Sequence, residues 1–134
     1  MMTRRAMGAI LAVGVWAAEP LERLDGKWRT RFVVVRAGRA LYSRARFAFA
    51  KGNFVLEEYA TGGQLAWVYR GAARINAGNE MFLDVASVTD AAGTAAEVGR
   101  ARYEAGESYN LGAVEFISAA RVRVGALELQ KELD

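Results

Sequence analysis

The chain has 134 residues, 53% of them hydrophobic and 25% charged, with a net charge of +3; this balance suits a single domain with a sizeable core and is unlike a disordered chain. It contains no Cys and no His. Disulfides, thiolate nucleophiles, Cys-ligated zinc, His-rich metal sites, His-ligated haem, and Ser-His-Asp or Cys-His catalysis are thereby excluded, and any acid–base chemistry falls to Asp, Glu, Tyr, Lys or Arg.

Residues 1–18 read MMTRRAMGAILAVGVWAA. Arg4 and Arg5 form a basic start, and residues 6–18 are an apolar stretch, too short for the roughly 20 residues that a membrane-spanning helix needs. Val15 and Ala17 fit a small-residue cleavage site ahead of Glu19-Pro20. This layout predicts a cleavable export signal and a periplasmic or secreted domain over 19–134 with no membrane span of its own. The alternatives are a retained apolar helix packed on the domain and an uncleaved tether. Removal of Arg4 and Arg5 leaves 16 basic residues against 15 acidic, so a nucleic-acid-binding role loses its electrostatic basis.

From residue 27 onward the pattern is that of strands. In 27–35, Trp28, Thr30, Phe32 and Val34 share one face, and Lys27, Arg29 and Arg31 the other. In 41–50, Leu41, Ala45, Phe47 and Phe49 oppose Tyr42, Arg44 and Arg46. A period of two with one charged face predicts a half-buried strand. Further strands are expected at 54–60, 64–75 with a kink at Gly71, 80–89, 97–104, 109–117 and 121–130 with a bulge near Gly125. The stretch 97–104 reads equally well as the start of a short helix. Gly-containing turns separate the runs, as in an antiparallel meander. Eight strands with short connections predict an all-β fold, an eight-stranded antiparallel up-and-down barrel whose closure removes exposed edges. A two-sheet sandwich is the alternative.

Leu24-Asp25-Gly26-Lys27-Trp28 enters the first strand directly after the export segment. Gly26 allows a sharp turn under the barrel and Trp28 closes that end with a large ring. The element resembles the Leu-x-Gly-x-Trp opening of the calycin superfamily, in particular small bacterial lipocalin-like proteins. Residues 71–85 resemble the middle hairpin of that family and Leu127-Glu128-Leu129 its closing strand. The resemblance implies a lipocalin-like barrel over 24–130. It also implies a cation from the last strand beside Trp28, for which Arg121, Arg123 and Lys131 are available. The short link Arg36 to Ala40 leaves no room for the helical lid of intracellular fatty-acid-binding relatives, and the lack of His and Cys separates this chain from haem-binding and disulfide-bonded relatives.

Glu57 and Glu58 alternate across a strand, so one of them points inward. If Phe54, Leu56 and Glu58 share the inner face, Glu58 is a desolvated carboxylate suited to acid–base work; if Val55, Glu57 and Tyr59 do, Glu57 is. Both are solvated if the strand lies at the rim. Asp84 and Glu115 pose the same question, with Arg70 and Arg74 as partners. Phe32, Phe47, Phe49, Phe54, Trp67 and Tyr69, with Glu58, are the candidate pocket residues; Gly26, Trp28, Arg121 and Arg123 are the candidate floor. The aromatics serve equally as core. Basic residues crowd 23–46 and carboxylates lie later, which fits opposite charges pairing across a closed sheet or an anion-binding patch. No nucleotide loop, calcium loop or paired-metal spacing occurs, and no cofactor is implied.

Three functions fit this pattern: an exported barrel holding a small apolar or amphipathic molecule, a periplasmic protein-binding or inhibitor barrel working through loops such as 90–96, and an isomerase or cyclase using interior Glu and Tyr. The first is the expected one; the fold does not choose among them.

Overall fold

The computed structural model of the chain describes residues 20–30, 34–36, 39–41, 44–60 and 62–132. The predicted export segment 1–18 and Phe32 lie outside the described residues.

A single helical turn at 20–23 leads into β1 (Gly26–Thr30). There follow β2 (Val34–Arg36), β3 (Arg39–Leu41), β4 (Arg44–Ala50), β5 (Asn53–Tyr59), β6 (Leu65–Ile75), β7 (Glu80–Asp90), β8 (Ser108–Ser118), β9 (Arg121–Val124) and β10 (Leu127–Lys131). Eight of these close into an antiparallel up-and-down barrel in the order β1-β10-β9-β8-β7-β6-β5-β4, with β4 returning to β1. Among the described residues, β2 and β3 pair with each other as a separate two-stranded sheet. No helix among the described residues is long and apolar enough to cross a membrane.

The barrel is the expected one, but two of its strands arise differently. Residues 97–104 form turns and bends, not a strand. The run 121–130 is a hairpin of two strands, where one bulged strand was expected. Val124 pairs with Leu127, so Gly125-Ala126 is a two-residue loop, and Gly125 has a φ of +58°. Positive φ at the first loop position suits a tight hairpin, and Gly adopts it without a steric penalty. A side chain there would also strike β8, since a Cβ on Gly125 would lie 2.1 Å from the Leu111 carbonyl oxygen. Within the described residues, the first predicted strand, 27–35, falls on β1 and β2, and the second, 41–50, on the end of β3 and on β4.

Register arranges the inward side chains in levels. Lys131, Trp28, Phe47, Leu56, Tyr69 and Val88 are successive cross-strand partners around six strands. Below them run Gly26, Phe49, Phe54, Gly71 and Val85. Above them run Ala45, Glu58 and Trp67. Alternation alone produces these layers, because an in-facing residue on one strand opposes an in-facing residue on the next. Phe47 and Phe49 stack with centroids 5.6 Å apart.

One end of the barrel, the floor, carries the turns 51–52, 76–79 and 119–120 and the entry into β1. Leu24 and Trp28 are fully buried there, and the Trp28 Nε1–H donates to the Leu24 carbonyl at 2.7 Å. The Lys131 ammonium lies 5.6 Å from the Trp28 ring and the Arg23 guanidinium 3.8 Å from the Phe116 ring. Of the cations offered by the last strands, Lys131 meets Trp28. Arg121 and Arg123 point outward, Arg121 to Glu128 and Arg123 to Glu115, each at 2.8 Å, because their in-facing neighbours on β9 are Val122 and Val124.

The kink expected at Gly71 is a β-bulge between Arg70 and Gly71 against β7. A Cβ on Gly71 would fall 2.0 Å from the Asp84 carbonyl oxygen, which only a backbone shift could relieve. Gly71→Ala is therefore expected to destabilise the barrel by about 2 kcal/mol or more. Trp28→Ala is expected to cost about 3–5 kcal/mol through the cavity it leaves. Denaturant unfolding checks both; a Gly71→Ala midpoint equal to wild type would contradict the bulge geometry.

Candidate functional site

The opposite end, the mouth, carries the connections 60–64, 91–107 and 125–126. Here the in-facing side chains are half-buried rather than sealed: Ala45 on β4, Trp67 on β6, Tyr109 and Leu111 on β8 and Leu127 on β10 all pack against the core yet keep contact with solvent. The contrast with Trp28, Phe47, Phe49, Phe54 and Tyr69, each at most 3% exposed, separates a filled floor from a mouth rimmed by apolar surface.

Glu58 sits in that rim. Phe54 and Leu56 are buried, so Glu58 takes the inward direction of β5, directly between Ala45 and Trp67. Its carboxylate is fully engaged. Tyr69 Oη donates to Oε1 at 2.9 Å, and Arg102 Nε lies 2.9 Å from Oε2. Glu58 is thus an ion-paired anion and not the lone desolvated acid that alternation alone left open. Its neighbour Glu57 faces outward and accepts from the Tyr59 hydroxyl at 2.9 Å.

The Arg102 partner comes from the segment 91–107, which folds back against the mouth. The backbone N–H of Arg102 donates to Tyr69 Oη at 3.2 Å, and that of Glu104 donates to Tyr109 Oη at 2.7 Å. The ring of Tyr103 stands edge-on to Tyr69 at 5.2 Å and tilted over Tyr109 at 4.6 Å. Further backbone bonds pin the segment to β7, from Ala96 N–H to the Val88 carbonyl and from Gly106 N–H to the Val85 carbonyl. Burial and the adjacent Glu58 charge push the Tyr69 hydroxyl well above the ordinary tyrosine range, and burial pushes Tyr103 upward as well. Both phenols therefore stay neutral, and for Tyr69 this is the state in which it donates to Glu58.

The structure divides the candidate pocket residues. Phe47, Phe49, Phe54 and Tyr69 converge in the interior as packed core. Trp67 and Glu58 are the two at the mouth. Arg102, Tyr103 and Tyr109 belong to the same site and were not singled out in the sequence. Asp84 and Glu115 are outward: Arg74 Nε donates to Asp84 at 2.9 Å, and Glu115 meets Arg123 rather than Arg70 or Arg74.

Two expectations follow. Tyr69→Phe removes a buried hydroxyl that serves Glu58 and the Arg102 amide, and should cost about 1–2 kcal/mol. Glu58→Gln breaks the ion pair to half-exposed Arg102, so global stability should move by less than about 1 kcal/mol, while amide exchange across 91–107 accelerates; unchanged exchange there would show that the ion pair does not hold the segment. In pH terms, Arg74 and Ser108 hold the Asp84 carboxyl below its ordinary range, and Arg46 does the same for Glu132. A lowered folded-state pKa adds stability above the ordinary carboxylate range and loses it as the pH falls. The raised Tyr69 pKa adds stability below about pH 10 and loses it above. With no His in the chain, thermal melts should be flat from about pH 5 to 9, fall below that range as the carboxylates protonate and fall again above about pH 10; a step near neutrality would contradict this.

Comparison with protein-family models, with curated proteins and with solved structures gave no match to this chain. What its own geometry establishes is a closed eight-stranded antiparallel barrel with a sealed floor and a half-open, loop-bearing mouth.

Proposed function

We propose that this protein is an exported, lipocalin-like barrel that holds a small apolar or amphipathic molecule at the mouth end of its interior. The observation that carries the reading is the rim of half-buried, in-facing Ala45, Trp67, Leu111 and Leu127 above a sealed floor. Apolar surface that the fold turns inward but does not cover is where an apolar ligand gains most by leaving water. Glu58 and Arg102 provide a polar edge beside it, so one end of an amphipathic molecule would meet charge while the rest lies against Trp67. The Trp28 floor and its Lys131 contact support the lipocalin-like part of the reading, and the basic-then-apolar segment 1–18 supports export. The fill below Tyr69 confines the bound molecule to the upper part of the barrel.

One feature favours a second reading, a barrel that binds another protein through its loops. Val98, on the segment 91–107, is 91% exposed, and an isolated apolar tip of this kind can serve a partner's surface. An isomerase or cyclase is not proposed, because the interior carboxylate is committed to Arg102 and Tyr69.

The test is a titration with the apolar dye N-phenyl-1-naphthylamine, with native mass spectrometry of protein recovered from its own host. Saturable one-to-one binding is expected, weakened about tenfold in Trp67→Ala and blocked in Leu111→Trp, which fills the mouth. Failure of the dye to bind, together with a stoichiometric protein partner that Val98→Ser releases, would replace this reading with the second one.

A further inference from the structure

On the outer wall of the barrel, at the mouth ends of β1 and β4, two arginines stand side by side. Arg29 and Arg46 are direct cross-strand partners and both face solvent. Like charges directly opposite one another on a sheet repel, so this pair costs stability unless something negative joins them. They wall a cleft of about 650 Å3 that Thr30, Tyr59, Gln130 and Glu132 line with polar groups and that reaches Ala45 of the rim and Gly63 of the 60–64 connection. The cleft forms where the two strands separate. Arg29↔Arg46 is the last backbone rung, and one residue further the Ala45 N–H is taken by the Thr30 hydroxyl at 3.1 Å instead of a carbonyl.

The charge inside the cleft is only partly balanced. Glu132 occupies Arg46, with its two carboxylate oxygens 2.8 Å from Nε and 2.6 Å from Nη2. Glu57, opposite Arg46 on β5, is turned to the Tyr59 hydroxyl. Arg29 acts on Glu132 through its field but makes no direct ion pair among the described residues, and Lys27 adds a third positive charge along the same face of β1. The bidentate Glu132 contact shows which anion this wall accommodates. A planar carboxylate matches the guanidinium fork in two parallel hydrogen bonds, which a tetrahedral anion does less well.

We propose that the cleft between β1 and β4 is a second binding site, outside the barrel interior, for a small carboxylate-bearing molecule. Arg29 is its principal anchor, Arg46 the flanking cation, and the Thr30 hydroxyl and the Gln130 amide supply hydrogen bonds around the rim. Glu132 acts as a built-in competitor: its carboxylate holds the Arg46 fork and so limits how tightly an external carboxylate binds. The site borders the mouth rim at Ala45, but its anchors Arg29 and Arg46 lie on the outward face of their strands, whereas Glu58 and Trp67 face inward.

The test uses the full chain and arginine side-chain NMR, with sodium benzoate as probe, benzyl alcohol as the neutral analogue and inorganic phosphate as the tetrahedral anion. At millimolar concentrations benzoate is expected to shift the Arg29 and Arg46 Nε–H signals saturably, with benzyl alcohol inert and phosphate weaker. Arg29→Gln should weaken benzoate about tenfold, as loss of a charged hydrogen-bonded anchor does. Glu132→Gln, which frees the Arg46 fork, should tighten it severalfold. Leu111→Trp should leave it unchanged. Both wall variants alter solvent-facing side chains, so thermal unfolding confirms that they fold. Benzoate shifts that do not saturate, or affinity unchanged in Arg29→Gln, would overturn the site. Equal response to phosphate would reduce it to general screening by counter-ions, and loss of binding in Leu111→Trp would move the carboxylate to the mouth; either result also sinks the proposal.

Discussion

Closure of the barrel rests on β1. Only five residues long, it hydrogen-bonds to β4 along one edge and to β10 along the other. Without it the remaining seven strands would form an open sheet with two unpaired edges, a template for aggregation. Its centre is Trp28, whose indole fills the floor, donates its N–H to Leu24 and lies beneath the Lys131 ammonium. One side chain thus ties the helical turn at 20–23, the first strand and the last strand together. The hydrophobic gain from burying a large ring is joined there to satisfaction of its polar atom, so burial leaves no orphaned donor.

Filling the floor this thoroughly has a consequence for the other end. An eight-stranded barrel has an interior just wide enough for side chains or one small ligand. Here the levels of Trp28, Phe47, Leu56 and Tyr69, and of Phe49 and Phe54, consume the lower part of that space. The upper level consists of Ala45, Glu58 and Trp67, in which a methyl group and a carboxylate stand where large apolar side chains would complete the core. The carboxylate then needs partners, since an unpaired charge at that depth would be costly. Tyr69 supplies one from within the sheet. Arg102 supplies the other from outside it, and this ties the conformation of 91–107 to the interior. Such a pair adds little net stability, but it specifies where the segment sits, because any other placement leaves Glu58 facing a single phenol.

The strands were legible where alternation was clean. Trp28 and Phe47, or Phe54 and Leu56, have charged or small residues between them, and their inward direction follows from a period of two. The same rule narrowed Glu57 and Glu58 to one inward carboxylate but could not choose between them, because both parities of β5 carry apolar residues; the packing of Phe54 and Leu56 decides it. At Gly125 the parity change was visible, but a bulge and a two-residue hairpin produce the same switch in sequence. The choice depends on contact with β8, where Gly112 and Gly125 approach too closely for any Cβ. The segment 97–104 misled for a different reason. Its alternation of Ala, Arg and Tyr satisfies a strand template, yet its backbone N–H groups go to a local turn, to the Glu104 carboxylate and to tyrosine hydroxyls rather than to a neighbouring ladder, while Ala96 and Gly106 on either side of it bond to β7 carbonyls. Tertiary partners of that kind leave no local periodicity, and so Arg102 and Tyr103 went unread.

The outer wall obeys a further rule. Most of its charges meet their opposites at short range: Arg74 with Asp84, Arg121 with Glu128, Arg123 with Glu115. Each such pair is exposed and contributes at most about 1 kcal/mol, so their value lies less in stability than in cancelling the field along β6 to β10. The β1–β4 wall departs from this pattern. Its arginines are neighbours of each other, and the one carboxylate beside them is held by Arg46. Uncompensated positive charge on a rigid sheet projects a steady field, and a cleft lined partly by protein focuses it. A wall neutral elsewhere and positive at that one place distinguishes among molecules that approach it, whatever the interior holds.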